Sequence, residues 1–171
     1  MLNDNLSTQR TLLRKYIETD RLESIRIMTD PEVNHFMGGR VEDPVEAGKL
    51  FDKIFEIYDG LFGERHFEIW AIEYEEKMIG DFELKETDNT VYGELEVVYM
   101  IDKPYWGKGL VPEILKEIIK YAAGMSKAVV ATLNPENTKT VRALEKIGIE
   151  KQEWIGEGDD KCFKVWLKSN P

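Results

Sequence analysis

The hydrophobic period of this chain changes abruptly at Tyr105-Trp106-Gly107-Lys108-Gly109-Leu110, and the switch limits the available folds more than any other feature. Ahead of it, Val91 to Ile101 alternates and sets Leu95, Val97, Tyr99 and Ile101 on one face of a strand. Behind it, Leu110, Ile114, Leu115, Ile118, Ile119 and Ala122 recur at helical spacing, predicting a helix that ends near Gly124. Pro112 fits only the first turn of that helix, where its missing donor is not needed, so the helix starts within the few residues before it. Lys127 to Leu133 then reads as a buried strand, which makes a strand-helix-strand unit.

The residues upstream are periodic in a different way. Phe67, Ile69 and Ala71 alternate with Glu68, Trp70 and Ile72, a Glu75-Glu76-Lys77 turn follows, and Met78 to Lys85 is the hairpin partner. Connections this short exclude crossovers, so these strands and Val91 to Ile101 form an antiparallel meander. Thr11 to Ile17 reads as an opening strand and Asp20 to Met28 as a short helix capped at Thr19 or Asp20, with a further turn or two at Pro31 to Phe36. Pro44 to Leu61 carries Leu50, Phe51, Ile54, Phe55, Ile57, Tyr58 and Leu61 on one helical stripe, which is core. Pro135 to Ile147 is a second long helix closed by Gly148, and Ile149 to Ile155 pairs with Cys162 to Lys168 across a Gly156 to Asp160 turn. The expected class is α+β (mixed α/β): a central mixed, mostly antiparallel sheet flanked by helices, in one domain spanning residues 1–171.

Charge and composition set the environment. Lys and Arg number 23 against 33 Asp and Glu, a net charge of −10, which argues against nucleic acid and for cationic partners. The longest pure apolar stretch, Val97 to Ile101, is far short of a membrane span. Cys162 has no partner for an internal disulfide and the first ten residues lack a secretory apolar run, so a cytoplasmic protein is expected. His35 and His66 form no ligand-spaced cluster with Cys162, so no metal is expected.

The turn at Gly107 and Gly109 is the best candidate for chemistry. Unpaired backbone N–H groups at a helix start, with the positive end of the helix dipole, bind phosphate or pyrophosphate. A plain tight turn is the alternative. Two phosphate motifs fail on spacing, because GxxxxGK[ST] would need glycine where Asp102 stands and a hydroxyl where Gly109 stands, and GxGxxG meets Pro112.

Several landmarks then fall in one order: Arg10 and Arg14, Asp30-Pro31-Glu32-Val33, Trp70-Ala71-Ile72, Ile79-Gly80, Glu96 to Ile101, the glycine turn, and Asn134-Pro135-Glu136-Asn137 leading to Lys146-Ile147-Gly148-Ile149. In this the sequence, from about Arg10 to Trp166, resembles the GNAT superfamily of N-acetyltransferases, in its branch of ribosomal-protein N-terminal acetyltransferases and spermidine or aminoglycoside relatives. The resemblance implies an acetyl-CoA pocket. The pyrophosphate would sit on the amides of Trp106, Gly107, Lys108, Gly109, Leu110 and Val111, and the pantetheine arm would pair like an added strand with Met100 and Ile101. It also implies a bulge that leaves an amide near Val98 or Tyr99 to polarise the thioester carbonyl, and Asn137 and Thr140 beside the arm. Helix capping is the other reading of Asn137 and Thr140. The pattern departs from the family at Thr11, where leucine usually follows the first arginine, and at Pro104, where Arg or Gln would meet phosphate. Lys103 or Lys108 is then the expected substitute.

Acid–base needs follow from ordinary pKa values. At pH 7 roughly 0.1% of a lysine-like amine and roughly 10% of an α-amine is neutral and able to attack. Glu96 matches a frequent family glutamate and would be the base, directly or through water; the alternative is a solvated strand carboxylate like Glu94. A thiol of pKa near 8.5 makes a general acid optional. Many superfamily members place a tyrosine for that role where this chain has Leu144, so no such role is carried over. The expectation is direct acetyl transfer to a small-molecule or peptide amine acceptor, with a non-catalytic acyl-CoA-binding sensor or interaction module as the alternative. A homodimer is compatible with the resemblance, since many relatives dimerise.

Overall fold

A computed structural model describes residues 5–61, 63–158 and 161–168. In chain order the elements are β1 (Leu6–Ser7), β2 (Thr11–Arg14), α1 (Arg21–Met28), α2 (Pro44–Tyr58), β3 (Phe67–Tyr74), β4 (Lys77–Lys85), β5 (Glu94–Ile101), α3 (Leu110–Gly124), β6 (Ala128–Leu133), α4 (Thr138–Ile147), β7 (Ile149–Ile155) and β8 (Cys162–Leu167). The strands form one eight-stranded sheet in the order β1-β2-β3-β4-β5-β6-β8-β7. Every neighbouring pair is antiparallel except β5 and β6, which α3 connects. That parallel pair makes the sheet mixed, as the strand-helix-strand pattern predicts.

The alternation of β3, β4 and β5 supplies two cores, one on each side of the sheet. On one face Trp70, Phe82, Leu84, Leu95 and Val97 pack against Leu110, Ile114, Leu115 and Ile118 of α3 and Leu144 of α4. On the other, Ile69 and Ala71 meet Ile27 of α1 and Phe51, Ile54 and Ile57 of α2. Each fully buried side chain of this size contributes about 1.5–3 kcal/mol of transfer free energy. α2 starts sharply because the Asp43 side chain accepts from the Val45 N–H at 2.9 Å and Pro44 fills the first turn.

Boundaries move where side chains capture the backbone. The opening strand stops at Arg14 rather than Ile17, because the Tyr16 N–H donates to the Tyr58 hydroxyl at 2.9 Å and the Ile17 N–H to Asp20 at 3.0 Å. The third meander strand begins at Glu94, since Val91 and Glu94 close a turn through Gly93. α4 begins at Thr138, because Asn137 caps it by accepting the Thr140 N–H at 3.2 Å, and Pro135 to Asn137 is a turn. Residues 31–36 make turns only. β1 was unforeseen. It pairs with β2 where the Thr8 hydroxyl meets Thr11.

At the base of the β5–β6 pair, Glu94 is enclosed by donors from distant strands. Lys164 of β8 reaches its Oε2 at 2.6 Å and the Trp166 indole its Oε1 at 2.7 Å. The same Lys164 ammonium donates to the Asn89 carbonyl at 2.6 Å.

Candidate active site

Pairing between β5 and β6 stops early. Only Glu94, Leu95 and Glu96 match Ala128, Val129 and Val130, after which β6 pairs with β8 alone and β5 with β4 alone. The strands part into a slot, and a cavity of about 470 Å³ occupies it, lined by 97–101 of β5 and 131–134 on the β6 side. That volume suits a small-molecule ligand. The Asp102 N–H donates to the Ile79 carbonyl at 2.8 Å, which fixes the phase of the β4–β5 ladder. Counting back by the two-residue alternation, Met100 and Val98 turn their backbone polar groups to β4, while Ile101, Tyr99 and Val97 turn theirs to the slot. The Trp106 indole takes the Ile101 carbonyl at 2.6 Å, so Tyr99, between Val97 and Ile101, turns both its N–H and its carbonyl to the middle of the slot.

The slot ends at the start of α3. Gly107 and Gly109 have φ of 75° and 77°, a left-handed backbone that disfavours other residues, although neither is crowded by backbone. The α3 N-cap, Gly109, has no side-chain hydrogen bond, so the first amides of the helix stay available at its positive end. Arg10 steadies this turn by donating to the Lys108 carbonyl at 3.0 Å while pairing with Glu113 at 2.7 Å. Burial raises the Glu113 carboxyl, but hydrogen bonds from Thr8 and Arg10 outweigh it and hold the group below its ordinary pKa.

The third wall is α4. Lys139, Arg142 and Lys146, spaced by three and four residues, line the cavity, and the Lys139 ammonium sits 3.5 Å from the Trp106 ring centroid. Thr140 lies on the same wall and accepts a hydrogen bond from the Tyr99 hydroxyl at 3.2 Å. The Tyr99 ring is stacked on Phe82, with centroids 5.5 Å apart and planes 10° apart. Burial pushes its phenol up in pKa against the pull of Thr140. A row of free backbone groups, a helix start and a cationic wall are suited to a ligand with amides and phosphates.

A family model described as an acetyltransferase (GNAT) domain matches residues 10–150, which contain the slot, the turn and α4. The chain belongs to the GNAT acetyltransferase family. Among GNAT relatives, the uncharacterized N-acetyltransferase p20 of Bacillus licheniformis is 25% identical over 155 residues, covering 87% of this chain and 84% of that protein. RimJ of Mycobacterium smegmatis, solved in complex with CoA-disulfide, superposes with a TM-score of 0.79 at 15% identity, over 98% of this chain and 90% of that one. Spermidine N-acetyltransferase of Vibrio cholerae, in complex with CoA and spermine, gives 0.69 at 19% identity, over 92% and 94%. At these identities the two structures speak for the GNAT fold.

Around one GNAT cavity the structure gathers Val98, Tyr99, Met100, Ile101, Trp106, Gly107, Gly109, Leu110, Val111, Asn137 and Thr140. Two predicted residues stand apart. Glu96 is only 5% exposed, lies outside the cavity lining, and accepts a 2.5 Å hydrogen bond from the Thr87 hydroxyl. The Lys108 side chain turns away over the Tyr105 ring at 4.9 Å, so only its backbone faces the turn. Lys103 is ion-paired with Glu32. With Pro104 where Arg or Gln would stand, the cations that line the cavity are Lys139, Arg142 and Lys146 of α4, which sequence reasoning passed over although their spacing was visible. The expected bulge in β5 is absent: the β4–β5 register runs unbroken from Lys85↔Glu96 to Gly80↔Ile101, and the irregularity falls between β3 and β4 near Ile72 and Glu73. The slot opens because β6 leaves for β8.

Proposed function

We propose that this chain transfers an acetyl group from acetyl-CoA directly to a primary amine on a protein N-terminus, a polyamine or an aminoglycoside-like small molecule. The observation that carries the reading is the parting of β5 and β6 after Glu96 and Val130, directly beside the uncapped start of α3. The backbone of Tyr99 and the N–H of Ile101 offer a strand edge for the amide-bearing arm, and the amides from Gly107 to Val111 hold the diphosphate; the Trp106 N–H is already donated to the Lys103 carbonyl at 3.2 Å. Lys139, Arg142 and Lys146 supply the positive charge that Pro104 cannot. The CoA-bound relatives support the choice of donor.

Chemistry in the slot needs little from ionisable groups. The Tyr99 N–H, fixed by the sheet, donates to the thioester oxygen as negative charge gathers there. The neutral fraction of the amine attacks the carbonyl carbon, the C–N bond forms, the C–S bond breaks, and the nitrogen loses its extra proton to water. Glu96 has no direct contact with the amine in this scheme. The net charge of −10, with Glu32 and Glu136 on the cavity lining, favours cationic acceptors.

The test is thiol release from acetyl-CoA with N-terminal peptides, polyamines and aminoglycosides as acceptors. Release with at least one acceptor, and acetylated product by mass, supports the proposal. CoA binding without turnover by any acceptor would make the chain a binding module instead.

A further inference from the structure

We infer that the acceptor carries a single amine beside a large apolar side chain, as in a peptide beginning with Met, Leu or Phe, and that Phe36 and Met37 receive that side chain. The inference rests on the acetyl-transfer reading and narrows its acceptor. Strand alternation makes the cavity two-sided. Val97, Tyr99 and Ile101 of β5 turn their side chains to the α3–α4 core, whereas Met100 packs with the α1–α2 core and Val98 shares its face. The lining includes residues from both sides, so the cavity reaches both faces of the sheet. On the α4 side stand Lys139, Arg142 and Lys146, which suit the diphosphate end of the donor. With the donor there, the attacking amine has the α1 side to enter by.

That side is apolar. Val33, Phe36 and Met37 of the α1–α2 connection line it together with Val98 and Met100. The connection is braced: the Asn34 side chain, 3% exposed, donates to the carbonyls of Met28 and Val41, each at 3.0 Å, and the Met37 N–H donates to the Asn34 carbonyl at 3.0 Å. These bonds tie the end of α1 to the approach of α2 and hold Phe36 and Met37 at the mouth. The Phe36 ring packs on His35 with centroids 4.5 Å apart, yet 38% of the residue stays exposed, which leaves apolar area for an occupant to cover. Of the two carboxylates on the lining, Glu32 is ion-paired with Lys103, and Glu136 belongs to the turn before α4. Glu83, opposite Val98 on β4, is paired with Lys85, and Asp102 with Arg26 at 2.5 Å. The additional ammonium groups of a polyamine or an aminoglycoside would have to displace these cations, whereas a Met, Leu or Phe side chain sheds only water. The one charge on the amine is still attracted by the net charge of −10.

The test compares kcat/KM, by thiol release from acetyl-CoA, for lysine-free peptides that differ only in a first residue of Met, Leu, Phe, Ser or Asp, and for phenethylamine, spermidine and kanamycin. The apolar-first peptides are expected to exceed the Ser- and Asp-first ones, and both polycations, by about tenfold or more. Phenethylamine equal to those peptides marks a free small amine as the source of this chemistry, and peptides well ahead of it mark a chain N-terminus; either supports the inference. Phe36→Ala, at an exposed position, is expected to narrow the ratio of Met-first to Ser-first peptides by about fivefold or more, with acetyl-CoA affinity by calorimetry within about twofold. Met37→Asp, which sets an unpaired carboxylate on the same wall, is expected to raise spermidine relative to the Met-first peptide. Spermidine, kanamycin or the Ser-first peptide equal to the apolar-first peptides overturns the inference while sparing acetyl transfer, as does a ratio that Phe36→Ala leaves unmoved. A wild-type protein that releases thiol with no acceptor takes down both.

Discussion

Replacing Lys164 by Met tests whether the base of the slot is held electrostatically. The pair Lys164–Glu94 is 2.6 Å long with side chains 6% and 11% exposed, so water compensates little when one partner is removed. Lys164→Met matches the stem in volume but deletes a charge-assisted hydrogen bond worth about 1.5–3 kcal/mol and leaves the Asn89 carbonyl short of a donor, about 1 kcal/mol more. Glu94 keeps its bonds from the Trp166 indole at 2.7 Å and the Val91 N–H at 3.1 Å, which places the loss near the lower end of the range for a broken buried pair, about 3 kcal/mol. For a chain of this size that lowers Tm by about 6–12 °C, measurable by calorimetry. The pH dependence has a sign. Burial raises the Glu94 carboxyl, but hydrogen bonds from Lys164, Val91 and Trp166 together hold it below its ordinary pKa. Its contribution is therefore complete above the unfolded value of about 4.3 and lost as pH falls through the lower folded value, so the gap between wild type and variant narrows on acidification toward pH 3. A loss under about 1 kcal/mol at pH 7, or a gap that widens in acid, would refute the argument.

Three further outcomes are expected. Glu96→Gln should leave kcat within about threefold, since the side chain lies off the cavity, while removing roughly 1 kcal/mol of stability through the weakened Thr87 bond; a hundredfold loss of kcat would restore Glu96 as the base. Gly80→Ala would bring a Cβ to 2.0 Å from the Met100 carbonyl oxygen, which forces β4 from β5 at the slot; a loss of about 3 kcal/mol in urea unfolding and weaker CoA binding by calorimetry are expected. Glu75 and Glu76 form the β3–β4 turn with φ of 51° and 60°, so the double change to Asn-Gly should raise stability by about 1 kcal/mol in urea unfolding, and no gain would argue against that turn geometry.

What the sequence discloses depends on how local the cause is. The start of α3 was legible because Pro112, the glycine pair and a six-residue apolar stripe all act within one helix. Asn137 as a cap was legible for the same reason, and the structure shows it capping while lining the cavity. Glu94 and Glu96 were not separable from solvated carboxylates, because the groups that enclose them come from elsewhere: Lys164 lies 70 positions from Glu94, and Thr87 sits across a turn from Glu96. The slot itself was foreseen only by resemblance. Alternation shows that β5 is a strand, but where its neighbour leaves it is decided by β8 pairing with β6 from Val130 to Leu133. The side chain of Lys108 lies over Tyr105, three residues back, and beside Tyr74, which β3 brings from a distant part of the chain.

A sheet unzipped at its centre has an energetic signature of its own. An amide-bearing occupant would pair with the inward-facing peptide groups of Tyr99 and act as a temporary ninth strand. Such an occupant at a hundred times its Kd would stiffen the fold by about 2.7 kcal/mol. The working lifetime of the chain would then rise and fall with the supply of its own donor.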